Sequence, residues 1–328
     1  MGARAAVAAA RVPDYSLETL RPHFDRMLDA LGGASALACT GERVLVKPNL
    51  LEASVPGAAV CTHPSVVEVV LERIVDAGAR PILADSPAYG TVEQVARALG
   101  LEQVARRFGA ELRRFGDPRS ASSERMRVFD ELTVDGLALD ADRVVNVAKL
   151  KTHRQVLYTG AVKNLFGCVP GRRKAWWHVK AGAYGDYFAR MLVDVAALVA
   201  PTLSVLDGID AMEGEGPRRG TPRRAEVLLA SRDPVALDRV AVEIAGIDPD
   251  RVSVLVAAGE MGWSGAVLGA IDVLGADLDA LRLDPPLVLP RLVPLGFSLP
   301  RLVRGSVRQA WLERRGAGVG VGVGRGSG

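Results

Sequence analysis

Short apolar runs alternate along this chain with longer stretches whose apolar residues are spaced for a helix. The clearest stretch covers residues 63–78, where apolar side chains recur every three or four positions and Gly78 is placed to cap the helix. Similar spacing predicts helices at residues 91–100, 101–108, 185–199 and 234–245. The apolar runs predict strands at residues 43–46, 81–84, 143–147, 203–206 and 225–230. Alternation of this kind predicts an α/β fold with a mainly parallel sheet flanked by helices.

Three segments follow from this pattern. Residues 1–39 are expected to be a helical lead-in, and residues 40–284 are expected to form the α/β domain. From residue 285 the sequence is basic and punctuated by prolines, and it ends in a glycine repeat that has no means of burying a core. Residues 285–328 are therefore predicted to hold a basic amphipathic helix and a disordered glycine-rich tail.

The helix in this last segment is predicted within residues 299–315. Leu299, Val303, Val307 and Trp311 lie four residues apart, and the arginines fall largely outside this apolar stripe. Three destinations stay open for such a helix: the α/β body, an acidic partner protein, or an anionic membrane surface, which basic residues and a tryptophan would suit.

Polar side chains follow four of the predicted strands directly. They are Lys47 with Asn49, Asp85, the group Lys149, Lys151 and His153, and Asp207. In a parallel sheet, ligands bind beyond the carboxyl ends of the strands. We therefore expect Lys47 and Asp85 to converge with Lys149, Lys151 and His153 in a single cleft.

Residues 144–178 hold many cations and no carboxylate side chain. Beyond the strand-end residues, the stretch contains Lys163, Asn164, Lys174 and His178. A solvated face usually mixes its signs, so a one-sign cluster predicts a site for a carboxylate or phosphate. Protonated lysines would bind the anion, whereas a buried lysine such as Lys151 would have a lowered pKa and could act as a base or Schiff-base nucleophile. His153 or His178 would supply a proton.

Two further sets of residues have alternative interpretations. Thr62 and His63 precede the helix at residues 63–78, where either could cap the helix or help bind an anion, and His63 could act as an acid or base. The carboxylates Asp207, Glu213 and Asp238 could hold Mg²⁺ beside a substrate phosphate, although their spacing matches no specific ligand set.

Composition and charge narrow the class of protein. The net charge is +3, but residues 285–328 hold seven arginines and one glutamate, so the remainder is slightly acidic. That balance excludes a general nucleic-acid binder. Three scattered cysteines exclude a disulfide scaffold and a self-contained zinc or iron–sulfur site, and they fit a reducing cytoplasm. The sequence has neither the pattern of a signal peptide nor an apolar stretch long enough to span a membrane.

Several motifs, taken in order along the chain, resemble those of the Domain of Unknown Function 362 family. The matching pieces are VLVKPNLL (44–51), THPSVVEVVLE (62–72), LADSP (83–87), KLKTH (149–153), TGAVKNLFGCVPGRRKAWWH (159–178), DGIDAMEGEGPRRG (207–220) and SRDPVALD (231–238). The resemblance implies an α/β domain, which many members join to a ferredoxin-like module with two four-iron–four-sulfur clusters. This chain has no cysteine after Ile247. We therefore expect no intrinsic cluster, and any electrons would come from a separate ferredoxin-like protein.

The resemblance also marks the matched polar positions as candidates for the site. They are Lys47, Asn49, Thr62, His63, Asp85, Lys149, Lys151, His153, Lys163, Asn164, Lys174, His178, Asp207, Glu213 and Asp238. Three functions fit these residues. An enzyme would bind an anionic small molecule in a cleft lined by lysine and histidine, with redox chemistry if an external donor supplies electrons. A carrier would bind the anion without chemistry, and a metal-assisted group transferase would use the carboxylates.

Overall fold

The computed structural model describes residues 4–171, 174, 177 and 186–294. The strands are β1 (Ala5–Arg11), β2 (Arg43–Pro48), β3 (Arg80–Asp85), β4 (Glu111–Arg114), β5 (Pro118–Ala121), β6 (Leu132–Asp135), β7 (Arg143–His153), β8 (Leu157–Thr159), β9 (Leu203–Glu213), β10 (Thr221–Ser231) and β11 (Ile271–Gly275). The α-helices are α1 (Leu17–Ala30), α2 (Pro64–Asp76), α3 (Val92–Leu99), α4 (Leu101–Arg107), α5 (Gly136–Asp140), α6 (Ala161–Leu165), α7 (Tyr187–Val199), α8 (Pro234–Ile244), α9 (Ser253–Glu260) and α10 (Leu278–Leu281).

Nine of the described strands form one central sheet. Its order is β11-β1-β10-β9-β7-β2-β3-β4, and β8 pairs with the end of β7. Strands β9, β7, β2, β3 and β4 run parallel, and β11 is parallel to β1, whereas β10 is antiparallel to both of its neighbours. Strands β5 and β6 form a separate hairpin. The predicted α/β class, with a mostly parallel central sheet flanked by helices, is confirmed.

Apolar side chains on the two faces of this sheet form two buried clusters. One cluster packs the sheet against α6, α7, α8 and α9, and the other packs it against α1, α2, α3 and α4. A sheet covered on both faces needs strands that are apolar throughout, as the runs in β2 and β3 are. The ends of β2, β3, β7 and β9 point the same way, and this end of the sheet is called the C-terminal edge below.

Three central strands are longer than their apolar runs suggest. Strand β7 continues to residue 153 rather than ending at 147, β9 continues to 213 rather than 206, and β10 begins at 221 rather than 225. The added part of β7 contains Lys149 and Lys151, and charged residues are rarely buried in a strand unless they are paired. The strand continues through them because each lysine has polar partners, which are described below.

The expectation of a helical lead-in over residues 1–39 is wrong for residues 5–11. This alanine-rich segment has a high helix propensity, yet it forms β1 inside the sheet. Val7 lies opposite Ser231 of β10 on one side and opposite Val273 of β11 on the other. Pairing with two strands therefore outweighs the local propensity, and the small side chains let α1 pack over the strand.

The packed part of the chain extends past residue 284. Leu287 is buried, the Gly214 N–H donates to the Val288 carbonyl at 2.7 Å, and the Val293 N–H donates to the Arg154 carbonyl at 2.8 Å. The predicted helix at 299–315 and the glycine repeat lie outside the described residues. Among the described helices, none is both long enough and apolar enough to cross a membrane.

A buried aspartate ties α7 to the loop before β6. Asp194 accepts hydrogen bonds from the backbone N–H groups of Arg127, Val128 and Phe129 at 2.8–2.9 Å. We expect Asp194→Ala to lower the free energy of unfolding by about 3 kcal/mol, because three backbone N–H groups lose a charged acceptor that is itself fully buried. Urea denaturation measures this. Asp272→Ala, which removes an exposed ion pair with Arg4, should cost less than about 1 kcal/mol, and equal costs would contradict the assignment.

Candidate functional site

Lysine is rare in this chain, and its distribution marks one region. Among 41 lysines and arginines, the lysines are Lys47, Lys149, Lys151, Lys163, Lys174 and Lys180. The first five are described, and the structure places them at the C-terminal edge in β2, β7, α6 and the segment after α6. Arginine occupies every other cationic position except the histidines. This contrast between the two cations identifies the region from the sequence without any motif.

Lys47 at the end of β2 forms a buried ion pair with Asp85 at the end of β3. The Lys47 Nζ lies 2.8 Å from Asp85 Oδ1, and the two side chains are 1% and 3% exposed. Asp85 also accepts the N–H groups of Leu50 at 2.8 Å and Ser86 at 2.7 Å. The expected convergence of Lys47 and Asp85 is therefore present, but their charges compensate each other.

Gly167 lies directly against this ion pair. A Cβ atom at position 167 would lie 2.6 Å from Asp85 Oδ1 and closer still to the end of the Lys47 side chain. Any larger residue would therefore overlap the pair. The glycine allows the segment after α6 to cover the pair closely, which helps to keep water from it.

Asn49 and Asn164 connect the ion pair to Lys151. Asn164 Oδ1 accepts hydrogen bonds from Lys47 Nζ at 3.2 Å and from Asn49 Nδ2 at 3.0 Å. Asn49 Oδ1 in turn accepts from Lys151 Nζ at 2.6 Å, and Lys151 also donates to the Val60 carbonyl at 2.7 Å. The two amides thus fix the positions of two lysines from neighbouring strands.

Thr62 supports the loop that carries Asn49. Its buried hydroxyl donates to the Val147 carbonyl at 2.8 Å and accepts the Asn49 N–H at 2.9 Å, while its own N–H donates to the Asn49 carbonyl at 3.0 Å. With both functions of the hydroxyl used by the backbone, Thr62 holds the loop in place rather than presenting a group to a ligand.

Lys149 forms a second buried ion pair, with Asp207 of β9. Lys149 Nζ lies 2.8 Å from Asp207 Oδ2, and the two side chains are 1% and 0% exposed. Tyr15, in the loop before α1, donates its hydroxyl hydrogen to Asp207 Oδ1 at 2.8 Å and accepts from Lys149 at 3.0 Å. Burial raises the pKa of Tyr15, so the hydroxyl stays protonated. Tyr15 lies outside every motif quoted above and is not among the predicted site residues.

His63 is held against this second pair and caps α2. Its ring stacks on the Tyr15 ring with centroids 3.6 Å apart, and its backbone N–H donates to Asp207 Oδ2 at 2.9 Å. Nδ1 of His63 accepts the Ser65 N–H at 3.2 Å, so His63 caps α2, which is one of the roles predicted for it. Burial lowers the pKa of His63 to about 4, so the ring is neutral near pH 7 and carries its hydrogen on Nε2.

The two ion pairs lie on opposite faces of the sheet. Lys47 contacts Asn164 of α6, which belongs to one buried cluster, whereas Lys149 contacts Tyr15, which packs on the other. Successive side chains of a strand alternate between its faces, and this alternation separates the two lysines even though β2 and β7 are neighbours. The strand ends therefore do not line the single cleft that was expected. Lys47 and Asp85 lie on one face of the sheet, and Lys149 lies on the other.

Of the two histidines predicted to donate a proton, His153 and His178, the structure describes only His153. His153 lies at the end of β7, where its Nδ1 accepts the Gln155 N–H at 3.1 Å in the turn that leads to β8. This contact belongs to the hairpin itself. His178 lies outside the described residues.

The proposed magnesium set of Asp207, Glu213 and Asp238 is wrong, because each carboxylate is bound elsewhere. Asp207 pairs with Lys149, and Glu213 accepts the Val288 N–H at 3.1 Å. Asp238 lies in α8, and no three His, Cys, Asp or Glu side chains of the described residues are grouped so that they could hold a metal ion.

Asp238 instead holds the start of α6. It accepts the N–H groups of Ala161 at 2.6 Å and Val162 at 3.0 Å, and the Tyr158 hydroxyl at 3.0 Å. Burial raises the pKa of Asp238 to about 7. The carboxylate fixes the short helix that carries Lys163 and Asn164, which is a positioning role.

Lys151, Lys163 and Lys174 make no ion pair within the described residues, unlike Lys47 and Lys149. Burial lowers the pKa of Lys151 to about 7 and those of Lys163 and Lys174 to about 8, and other lysines contribute in the same direction. Lys174 Nζ donates to the Ser86 carbonyl at 2.8 Å. The C-terminal edge therefore holds three amines that gain or lose a proton near neutral pH.

The comparisons with known proteins agree with this architecture. Residues 44–243 match the model of a family described as a domain of unknown function, DUF362, and the chain belongs to that family. It is 37% identical to a thylakoid-associated protein of Synechocystis sp. (strain ATCC 27184 / PCC 6803 / Kazusa), over 93% of this chain and 94% of the relative.

A solved structure shares the fold. The lactate racemase apoprotein from Thermoanaerobacterium thermosaccharolyticum superposes with a TM-score of 0.50 at 10% identity, covering 74% of this chain. This chain spans 57% of that protein's length. At this identity the likeness concerns the fold alone.

The close approach of Gly167 to the first ion pair gives a testable consequence. We expect Gly167→Ala to lower the free energy of unfolding by about 1–3 kcal/mol, the usual cost of overpacking, because the new methyl group displaces Lys47 or Asp85. Chemical denaturation of the full chain measures the change. Gly269→Ala is the matched control, since a Cβ there meets no atom within 4 Å. Unchanged stability in both variants would show that the pair is not tightly covered.

Proposed function

We propose that this protein is an enzyme that binds a carboxylated or phosphorylated small molecule at the C-terminal edge of its sheet. Lys151, Lys163 and Lys174 would provide the positive charge for the anion. The observation that carries the proposal is that these three lysines lack carboxylate partners among the described residues, whereas the two neighbouring lysines are fully paired. An uncompensated cation that is partly or fully removed from water gains most from an anionic ligand.

The choice of lysine favours an enzyme over a carrier. A binding site that needs only permanent charge and bidentate contacts would be served by arginine, which this chain uses almost everywhere else. Lysine can lose its charge when it is buried, and Lys151 has a pKa lowered to about 7 by burial. A group that titrates near the working pH is suited to transfer protons.

The two buried ion pairs would act as the fixed frame of the site. Asp85 and Asp207 neutralise the lysines that lie deepest in the strands, and the amides of Asn49 and Asn164 align the remaining groups. His63, being neutral with Nδ1 engaged, would act as a hydrogen-bond donor through Nε2 rather than as an acid at neutral pH. His153 stays a candidate proton donor.

Several sequence-based expectations stay predictions. An external ferredoxin-like electron donor and a cytoplasmic location rest on the resemblance and on the cysteine content alone. The Synechocystis relative is named as thylakoid-associated, which favours adding a membrane surface to the partners of this chain. The arginines and Trp311 of the predicted helix at 299–315 suit an anionic lipid surface, so we propose peripheral contact through this segment.

The anion site predicts a specific dependence on pH. Inorganic phosphate should bind the full chain at pH 6, where the three lysines are charged, and its affinity should fall as pH rises through 7 and 8, because the charges are lost. Isothermal titration calorimetry measures this. Lys174→Met should weaken binding by about tenfold or more, the scale of one charge-assisted hydrogen bond.

Two controls separate site binding from a general charge effect. Arg26→Met removes one exposed positive charge on α1 and should leave phosphate affinity unchanged. Lys174→Arg keeps the charge and should bind phosphate at high pH better than the unmodified chain, since arginine does not titrate there. An affinity that stays constant up to pH 9 would exclude these lysines as the binding groups.

The membrane proposal has its own test. The full chain should sediment with vesicles containing phosphatidylserine at low salt and should be released at high salt, because each arginine contributes about 1 kcal/mol that salt screens. Removal of residues 299–328 should abolish sedimentation. Removal of residues 316–328, which deletes the glycine repeat and keeps the arginines at 301–315, is the matched control and should have little effect. Failure to sediment at low salt would refute the proposal.

A further inference from the structure

The Lys163 amine differs from those of the other described lysines. Lys47 and Lys149 are ion-paired, Lys151 donates to two oxygen atoms, and Lys174 donates to the Ser86 carbonyl. Lys163 Nζ has no hydrogen-bond or ion-pair partner within the described residues, and its side chain is partly exposed. It is thus the described lysine whose amine is unengaged.

The backbone that carries Lys163 is held on both sides. Asp238 binds the N–H groups of the two residues before it, Ala161 and Val162. The residue after it, Asn164, is fixed by Asn146 at 2.8 Å and by its contacts with Lys47 and Asn49. A side chain carried by such a fixed turn has a defined origin, as a reacting group in an enzyme requires.

We propose that Lys163 forms an imine with an aldehyde or ketone group of the anionic substrate, while Lys174 holds its carboxylate or phosphate and Lys151 stays bound to Asn49 and the Val60 carbonyl. This inference rests on the proposed function, because the anion site must bring the carbonyl group to the amine. It narrows the substrate class to anions that carry a carbonyl group, such as oxo acids and phosphorylated aldehydes or ketones.

The chemistry needs no group beyond the amine and the substrate. The lone pair of neutral Nζ attacks the carbonyl carbon, and a proton moves from nitrogen to oxygen to give a carbinolamine. Loss of water then forms the C=N bond. Burial and the charge of Lys47 lower the pKa of Lys163 to about 8. At about pH 7.5 this makes roughly 200-fold more of the amine neutral than for a lysine of ordinary pKa.

Reductive trapping tests the proposal on the full chain. The probe is pyridoxal 5′-phosphate, used as a phosphorylated aldehyde, followed by sodium borohydride, whose hydride adds to the imine carbon and leaves a stable secondary amine. Peptide mass mapping locates the adduct among the six lysines. We expect it on Lys163. Pyridoxal, which lacks the phosphate, should need at least about tenfold more reagent, the scale of one charge-assisted contact.

Two further measurements distinguish the possible failures. Lys163→Arg should lose the adduct but keep binding inorganic phosphate, measured as a rise in melting temperature, and excess phosphate should protect the unmodified chain. Phosphate binding with the adduct on another lysine, or with no adduct, overturns the role of Lys163 and leaves the anion site standing. Equal labelling by the two aldehydes together with no phosphate binding overturns the proposed function as well.

Discussion

The interior of this sheet depends on neutralising lysine charges within its central strands. Removing an ammonium group from water costs several kcal/mol, and a partner charge offsets that cost only when the geometry is good and the remaining hydrogen bonds are made. Lys47 and Lys149 meet these conditions because Asp85 and Asp207 lie beside them on the neighbouring parallel strands β3 and β9. The order β3-β2-β7-β9 is what places each carboxylate beside its lysine.

Other features of the C-terminal edge follow from this requirement. Because Lys149 is paired, β7 continues through it as a buried strand and reaches Lys151. Because the Lys47 pair must be covered closely, the segment after α6 needs a glycine at position 167. On the other face, the stacked rings of Tyr15 and His63 cover the second pair. The amines without ion pairs, those of Lys151, Lys163 and Lys174, thus belong to the same end of the sheet as two buried and hydrogen-bonded ion pairs.

The hydrophobic pattern predicted much of the fold, and polar residues at strand ends predicted where Lys47 and Asp85 come together. The pattern failed where distant partners decide the structure. The alanine-rich residues 5–11 form a strand only because β10 and β11 lie on either side of them. The hydrophobic pattern also could not show on which face of the sheet each lysine lies. That depends on how far the strand continues past its apolar run, because its side chains alternate between the two faces. Tyr15 was missed because its role arises from contacts with Lys149 and Asp207, far away in the sequence.

The likeness to a racemase structure and the match to a family of unknown function leave the chemistry to the side chains, because one fold supports many reactions. The side chains themselves are selective. A chain that uses arginine for nearly all of its positive charge has lysine at the three positions where burial lowers the pKa of the amine, Lys151, Lys163 and Lys174. Arginine would stay charged at these positions and could neither accept a proton nor attack a carbonyl group. Lysine is thus the cation that the proposed chemistry requires at these three positions, whereas a site that only holds an anion would not need the loss of charge.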